Sequence, residues 1–89
     1  MEDIMEEVYI GNKDISRYIS ACFFSLTKNK SVKIIARGSN IKKAIDILAI
    51  LIRDYIESPE YTIKVGSEAY EQRNVSTIEI SLSGSKKSK

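Results

Sequence analysis

The sequence predicts an α+β fold, a β-α-β-α-β-β chain with two helices on one face of a four-stranded mixed sheet. Three observations predict it. Two segments carry apolar residues at helical spacing, and each follows a short β-type run. Two runs that alternate apolar and polar residues close the chain. The length, 89 residues, suffices for one domain. Both crossovers therefore return to one sheet and, being right-handed, place both helices on the same side.

Val8, Tyr9 and Ile10 form the first strand, closed by Gly11 and Asn12. Asp14 stands at a helix N-cap, where its carboxylate can accept first-turn N–H groups. Ile15, Tyr18, Ile19, Cys22, Phe23 and Leu26 then form one helical stripe, and the helix ends near Thr27. Val32 to Ala36 is the second strand, with Ile34, Ile35 and Ala36 apolar in succession. Arg37-Gly38-Ser39-Asn40 breaks the pattern, and Ser39 or Asn40 can cap the next helix, Ile41 to Ile56. That helix has a main stripe (Ile41, Ala44, Ile45, Leu48, Ile52, Tyr55) and a second one (Ile47, Ile50, Leu51, Tyr55). A helix apolar on two sides must bury two sides. The second stripe is thus expected to form a dimer interface, since one small domain has little else to cover it. Glu57 to Glu60, with Pro59, stops the helix. Tyr61 to Val65 and Val75 to Leu82 are alternating strands, joined by a polar projecting hairpin from Gly66 to Asn74. The expected organisation is an acidic N-terminal extension (1–7), one domain (8–82) and a disordered basic tail (83–89).

The net charge of +2 hides unlike parts. Residues 1–7 carry four acids and no base. Between residues 12 and 43 the one acid, Asp14, faces eight bases: Lys13, Arg17, Lys28, Lys30, Lys33, Arg37, Lys42 and Lys43. Such asymmetry fits a polyanion partner, or a face kept charged for solubility. The acidic start is not a signal peptide, and no apolar run nears the roughly 20 residues of a membrane span.

Enzyme chemistry finds no support. Histidine is absent, which removes the usual general base and the usual metal ligand. The lone Cys22 excludes an internal disulfide and sits in a helix core stripe. Asp46 and Asp54 have no partner carboxylates in sequence and read as ion-pair or capping residues. No glycine pattern matches a nucleotide-binding loop. No catalytic residues, metal, cofactor or small-molecule substrate are expected.

The two strand-to-helix turns carry more information. In this topology both emerge at one edge of a parallel strand pair. Helix N-termini there present free N–H groups, and Lys13, Arg37, Lys42 and Lys43 add full charges, a combination suited to phosphate oxygens. Single-strand stacking platforms and base-reading motifs are lacking, Tyr70 near the hairpin tip being the one free aromatic. Such a surface binds backbones without sequence preference and is sensitive to salt.

Three segments, VYIGNKDISRYISA, KIIARGSNIKKAIDI and NVSTIEISL, resemble the signature segments of Alba, a family of archaeal chromatin proteins. The resemblance spans nearly all of residues 8–82. It implies a fold similar to the C-terminal domain of a translation initiation factor. It also implies dimers that coat and compact double-stranded DNA without sequence preference, often bind RNA, and reside on the chromosome in the cytoplasm. Carried over by position, Lys13 matches the second lysine of the family's turn. Asn12 replaces the first, so regulation by acetylation there is not expected. Arg37 matches the DNA-contacting arginine, and Lys43 the basic residue before the alanine. Lys42 is an added charge, Ser39 replaces a frequent arginine, and Asn40 can hydrogen-bond a phosphate. Asn12, Arg17 and Arg73 complete the expected nucleic-acid surface, although the hairpin is shorter than in many relatives. These departures resemble a divergent second crenarchaeal paralogue. An RNA-binding role, or a heterodimer subunit that modulates a more basic paralogue, is the alternative expectation.

Overall fold

A computed structural model describes residues 6–87. Residues 1–5 of the expected acidic extension, and Ser88 and Lys89 of the expected tail, lie outside the described residues. In chain order the elements are β1 (Glu6–Tyr9), α1 (Ile15–Asn29), β2 (Ser31–Arg37), a 3₁₀ turn (Gly38–Asn40), α2 (Ile41–Ile50), a π-helical turn (Leu51–Tyr55), β3 (Ile56–Tyr70) and β4 (Arg73–Lys86). The sheet order is β1-β2-β4-β3, with β1 parallel to β2 and the other pairs antiparallel. The α+β class and the mixed four-stranded sheet are as the periodicity predicts.

Every second residue of β2 and β4 packs under the helices: Val32, Ile34 and Ala36 from β2, Ile78, Ile80 and Leu82 from β4. From α1 the stripe Tyr18, Cys22 and Leu26 meets them, joined by the fully buried Ser25, whose hydroxyl donates to the Ser31 carbonyl. Ile35 does not enter this core, because a pleated strand turns it to the opposite face. Cys22 is fully buried, and loss of hydration pushes its thiol up to about 12. Such a thiol stays protonated and unreactive at neutral pH.

Four sequence expectations need correction. First, α2 is rotated relative to the two-stripe reading. Its buried face is Ala44, Ile47, Leu48 and Leu51, which straddles both stripes. Ile47 and Leu51 are completely buried in the chain's own core and are not available to a partner. Ile50 is half-buried, while Tyr55 stays exposed with its ring tilted against Phe23 at 5.2 Å between centroids. Periodicity shows which residues share a side but not which side meets the sheet. Second, the tail is structured as far as it is described. β4 runs to Lys86, with Ser83, Ser85 and Lys86 paired to Glu60, Glu57 and Ile56. The Gly84 and Lys87 N–H groups donate to the carbonyls of Lys30 and Tyr55. A Cβ at Gly84 would collide with Ile56, so this apolarless stretch forms a strand through backbone bonds that composition does not reveal. Third, β1 begins at Glu6, inside the expected acidic extension. Fourth, neither Asp14 nor Asn40 makes a side-chain cap bond, and α2 is entered through the 3₁₀ turn instead.

Beyond the last β2 partner pair, Arg37 with Thr77, strands β3 and β4 continue alone as a two-stranded arm. Its rungs run from Ser67–Ser76 to Tyr70–Arg73, closed by a turn at Glu71 and Gln72. β3 also carries an uncovered apolar row. Tyr61, Ile63 and Val65 face the buried Leu82, Ile80 and Ile78 across the ladder and so point to the helix side. They are nevertheless 47%, 46% and 78% exposed, because neither helix reaches this edge strand.

Candidate nucleic-acid interface

The two strand-to-helix turns do converge. Lys43, in the first turn of α2, donates from Nζ to the Gly11 carbonyl at 2.9 Å and the Lys13 carbonyl at 3.1 Å. From below, the Tyr18 hydroxyl accepts the N–H groups of Gly11 at 2.8 Å and Lys13 at 3.0 Å. Lys43 Nζ also lies 5.7 Å from the Tyr18 ring centroid, within cation–π range. The Gly11–Lys13 turn is therefore held on both sides by side chains from the two helices. Sequence reading placed Tyr18 in a core stripe, and its ring is indeed buried. The role of its hydroxyl escaped because helical period shows a side, not the reach of a polar tip.

The expected cluster divides into free and engaged cations. Lys13 and Arg17 are exposed and make no side-chain bond among the described residues. Lys42 is 86% exposed and pairs with Asp46 one turn on, a screened surface contact of little strength. Lys43 spends two of its three donors on carbonyls, so it supports the turn as well as adding charge. Lys43→Met keeps the stem and removes both bonds; it should destabilise the fold by about 1–3 kcal/mol in urea unfolding. Lys42→Met should change stability little in the same assay.

Arg37 is the most engaged. Its Nη2 pairs with Glu68 Oε1 at 2.8 Å, and its Nη1 donates to the Tyr70 hydroxyl at 2.6 Å. Sequence reading did not name Glu68, and its distance of 31 positions from Arg37 left no local signal. Gly38 follows with φ +60°, a backbone conformation that disfavours any side chain, which turns the chain sharply into the 3₁₀ turn. Asn40 is half-buried in that turn, whereas Asn12 is exposed beside Lys13. A groove of about 540 Å³ is lined by Gly38 and Ser39 of the turn and by Arg73, Asn74, Val75 and Ser76 of the arm, with Arg73 on the arm's outermost rung. Lys28 and Lys30 lie elsewhere, at the C-terminal end of α1, where Lys28 pairs with Glu6 at 3.7 Å. Lys33 lies on the open sheet face, 3.0 Å from Glu79; this hydrogen-bonded pair raises the lysine pKa and lowers that of the carboxylate.

Among the described residues no group of three potential ligands could hold a metal ion, and no helix is long and apolar enough to cross a membrane. Asp46 and Asp54 are ion-paired, with Lys42 and Arg53 respectively.

Comparison with known proteins identifies the family. The family model described as Alba matches residues 6–67. A DNA/RNA-binding protein Alba from Nitrosopumilus maritimus is 38% identical over 85 residues, covering 86% of this chain and 88% of its own. One from Picrophilus torridus is 33% identical over 82 residues, covering 84% and 91%. These relatives are named for nucleic-acid binding, not for catalysis. Among solved structures, Alba from Thermoplasma volcanium superposes with a TM-score of 0.64 at 31% identity, covering 86% of this chain and 98% of its own. An Alba protein from Trypanosoma brucei gives 0.77 at 18% identity, covering 89% and 68%, a likeness of fold. The turn segments, β1, β2 and all of β3 but its last three residues fall within the matched span, and the chain belongs to the Alba family.

Proposed function

We propose that the protein binds double-stranded DNA, and RNA as well, through backbone phosphates and without sequence preference. The observation that carries this is the convergence of two helix N-termini, with Lys13, Arg17, Arg37, Lys42 and Lys43, on one edge beside a projecting arm. Helix N-termini and lysines contact phosphates and carry no sequence information. Relatives named DNA/RNA-binding proteins support the same partners. Affinity for unrelated duplexes, measured by gel shift or anisotropy, should be nearly equal and should fall steeply with salt. Binding confined to one sequence, or indifferent to salt, would overturn the reading.

The protein acts as a dimer in this proposal, and contributes in that form to coating and compacting the chromosome in the cytoplasm. The uncovered β3 row of Tyr61, Ile63 and Val65, with the exposed Ile45 and Tyr55, is the surface that supports a partner of the same fold. The expected interface thus moves from Ile47 and Leu51 to β3, with Ile50 and Tyr55 at its margin. Light scattering should give twice the chain mass of 10.1 kDa. A stable monomer at micromolar concentration would count against it.

A second reading, a subunit that pairs with a more basic paralogue, is favoured by the engaged state of Arg37 and Lys43. Fewer free cations mean fewer phosphate contacts for each copy.

A further inference from the structure

Deepening the phosphate-binding proposal, on which it rests, we infer that Glu68 sets how strongly Arg37 engages a polyanion. It occupies the guanidinium in the unbound protein and must give it up to an incoming phosphate. Arg37 ends β2 on the sheet face away from the helices, paired with Thr77. Across Thr77 the next strand presents Gly66, where a Cβ would meet the Thr77 hydroxyl at 3.1 Å. The absence of a side chain there leaves a lane along the sheet toward the arm. Glu68 and Tyr70 stand two and four residues beyond Gly66, hence on the same face. Arg37 reaches both. Its two terminal amino groups meet Glu68 at 2.8 Å and Tyr70 at 2.6 Å, and its guanidinium carbon lies 5.8 Å from the Tyr70 ring centroid.

A carboxylate and a phosphate present similar oxygen edges to a guanidinium fork. Glu68 therefore stands where a phosphate oxygen would stand. The side chains of the pair are 51% and 48% exposed. An ion pair that wet is weak and exchangeable, so a duplex phosphate can replace the carboxylate. The exchange leaves Glu68 unpaired near the polyanion, which reduces the net gain from Arg37. Tyr70 is held by the same guanidinium, so arm direction and Arg37 engagement change together.

The test compares Glu68→Gln with Glu71→Gln, which removes an equal charge from the exposed arm turn without touching Arg37. In the full chain, Glu68→Gln should tighten duplex binding about 3–5-fold at low salt, a range set by the strength of an exposed pair. It should also steepen the log–log salt slope by up to about 0.9 for each bound copy. Glu71→Gln should give a smaller gain and an unchanged slope. In an Arg37→Ala background the advantage of Glu68→Gln over Glu71→Gln should vanish. The Arg37 guanidinium NMR signals of the unbound protein report the contact without nucleic acid, and Glu68→Gln should shift them where Glu71→Gln does not. Equal gains from the two variants, a gain that survives without Arg37, or unmoved guanidinium signals would overturn the inference while leaving nucleic-acid binding intact. Absence of duplex binding by every variant and by the parent would remove the underlying proposal and the inference with it.

Discussion

Replacing Lys13, Arg37 and Lys42 together by Ala should weaken binding to any duplex by about 25- to 100-fold near physiological salt. The magnitude follows from counterion release. Each phosphate neutralised contributes about 0.9 to the log–log salt slope, which at that ionic strength is roughly fivefold in affinity. Three cations multiply to at most about a hundredfold, and the slope should become shallower by up to about 2.7 for each bound copy, with Arg37 giving less than a full share while Glu68 competes for it. Lys43 is kept in this variant because it ties the Gly11 and Lys13 carbonyls to α2, so its removal would confuse a binding loss with a folding loss. The loss should be alike for unrelated sequences, since none of these side chains belongs to a base-reading element. Circular dichroism melting should be nearly unchanged, all three side chains being exposed. Unchanged affinity would mean that the wrong edge has been chosen. Attention would then pass to Lys28, Lys30, Lys86 and Lys87 near the opposite end of the sheet, where Lys30 and Lys86 line one hollow.

Leu51→Ala should destabilise the fold by about 2–5 kcal/mol, the cost of emptying a fully buried leucine site. For a domain of this length that is a large share of a total stability of about 5–13 kcal/mol. Urea midpoints measure it. The comparison that matters is with Val65→Ser on β3. Leu51→Ala acts through the chain's own core, so its cost should persist at any protein concentration. Val65 is 78% exposed in the single chain, so Val65→Ser should instead lower the apparent dimer mass or make stability depend more steeply on concentration. A Leu51→Ala variant of unaltered stability, but altered mass, would restore the original assignment of Leu51 to a subunit interface.

These two results bear on how much of the molecule was legible in its sequence. The element order was legible because helical and strand periods differ sharply, and each run is bounded by Gly, Asn or Pro. The shared edge is legible for a topological reason. Two parallel strands joined by crossover helices must deliver both turns to the same end, so the order of elements alone predicts that Lys13, Arg37, Lys42 and Lys43 share an edge. The face of α2 was not legible. Ile41, Ala44, Ile45, Ile47, Leu48, Leu51 and Ile52 spread over roughly 160° of the helix surface at about 100° per residue, and only contact with the sheet selects the part of that arc held by Ala44, Ile47, Leu48 and Leu51. The strand character of Ser83 to Lys86 was equally hidden, since it rests on pairing with residues 56–60, far along the chain.

Residue order alone sets which positions carry charge, which elements they begin, and the expectation that both turns share an edge. Composition and period are local quantities, and chirality extends them to topology. Which of those charges are engaged by other groups depends on contacts between distant parts of the chain. Arg37 meets Glu68 and Tyr70, and Lys43 meets the carbonyls of Gly11 and Lys13, over separations of about 30 positions. Such pairings depend on strand register and on the open lane at Gly66, not on any local pattern. On the proposed binding mode, a polyanion would meet the exposed Lys13, Arg17 and Lys42, together with an arginine that has a carboxylate to leave first.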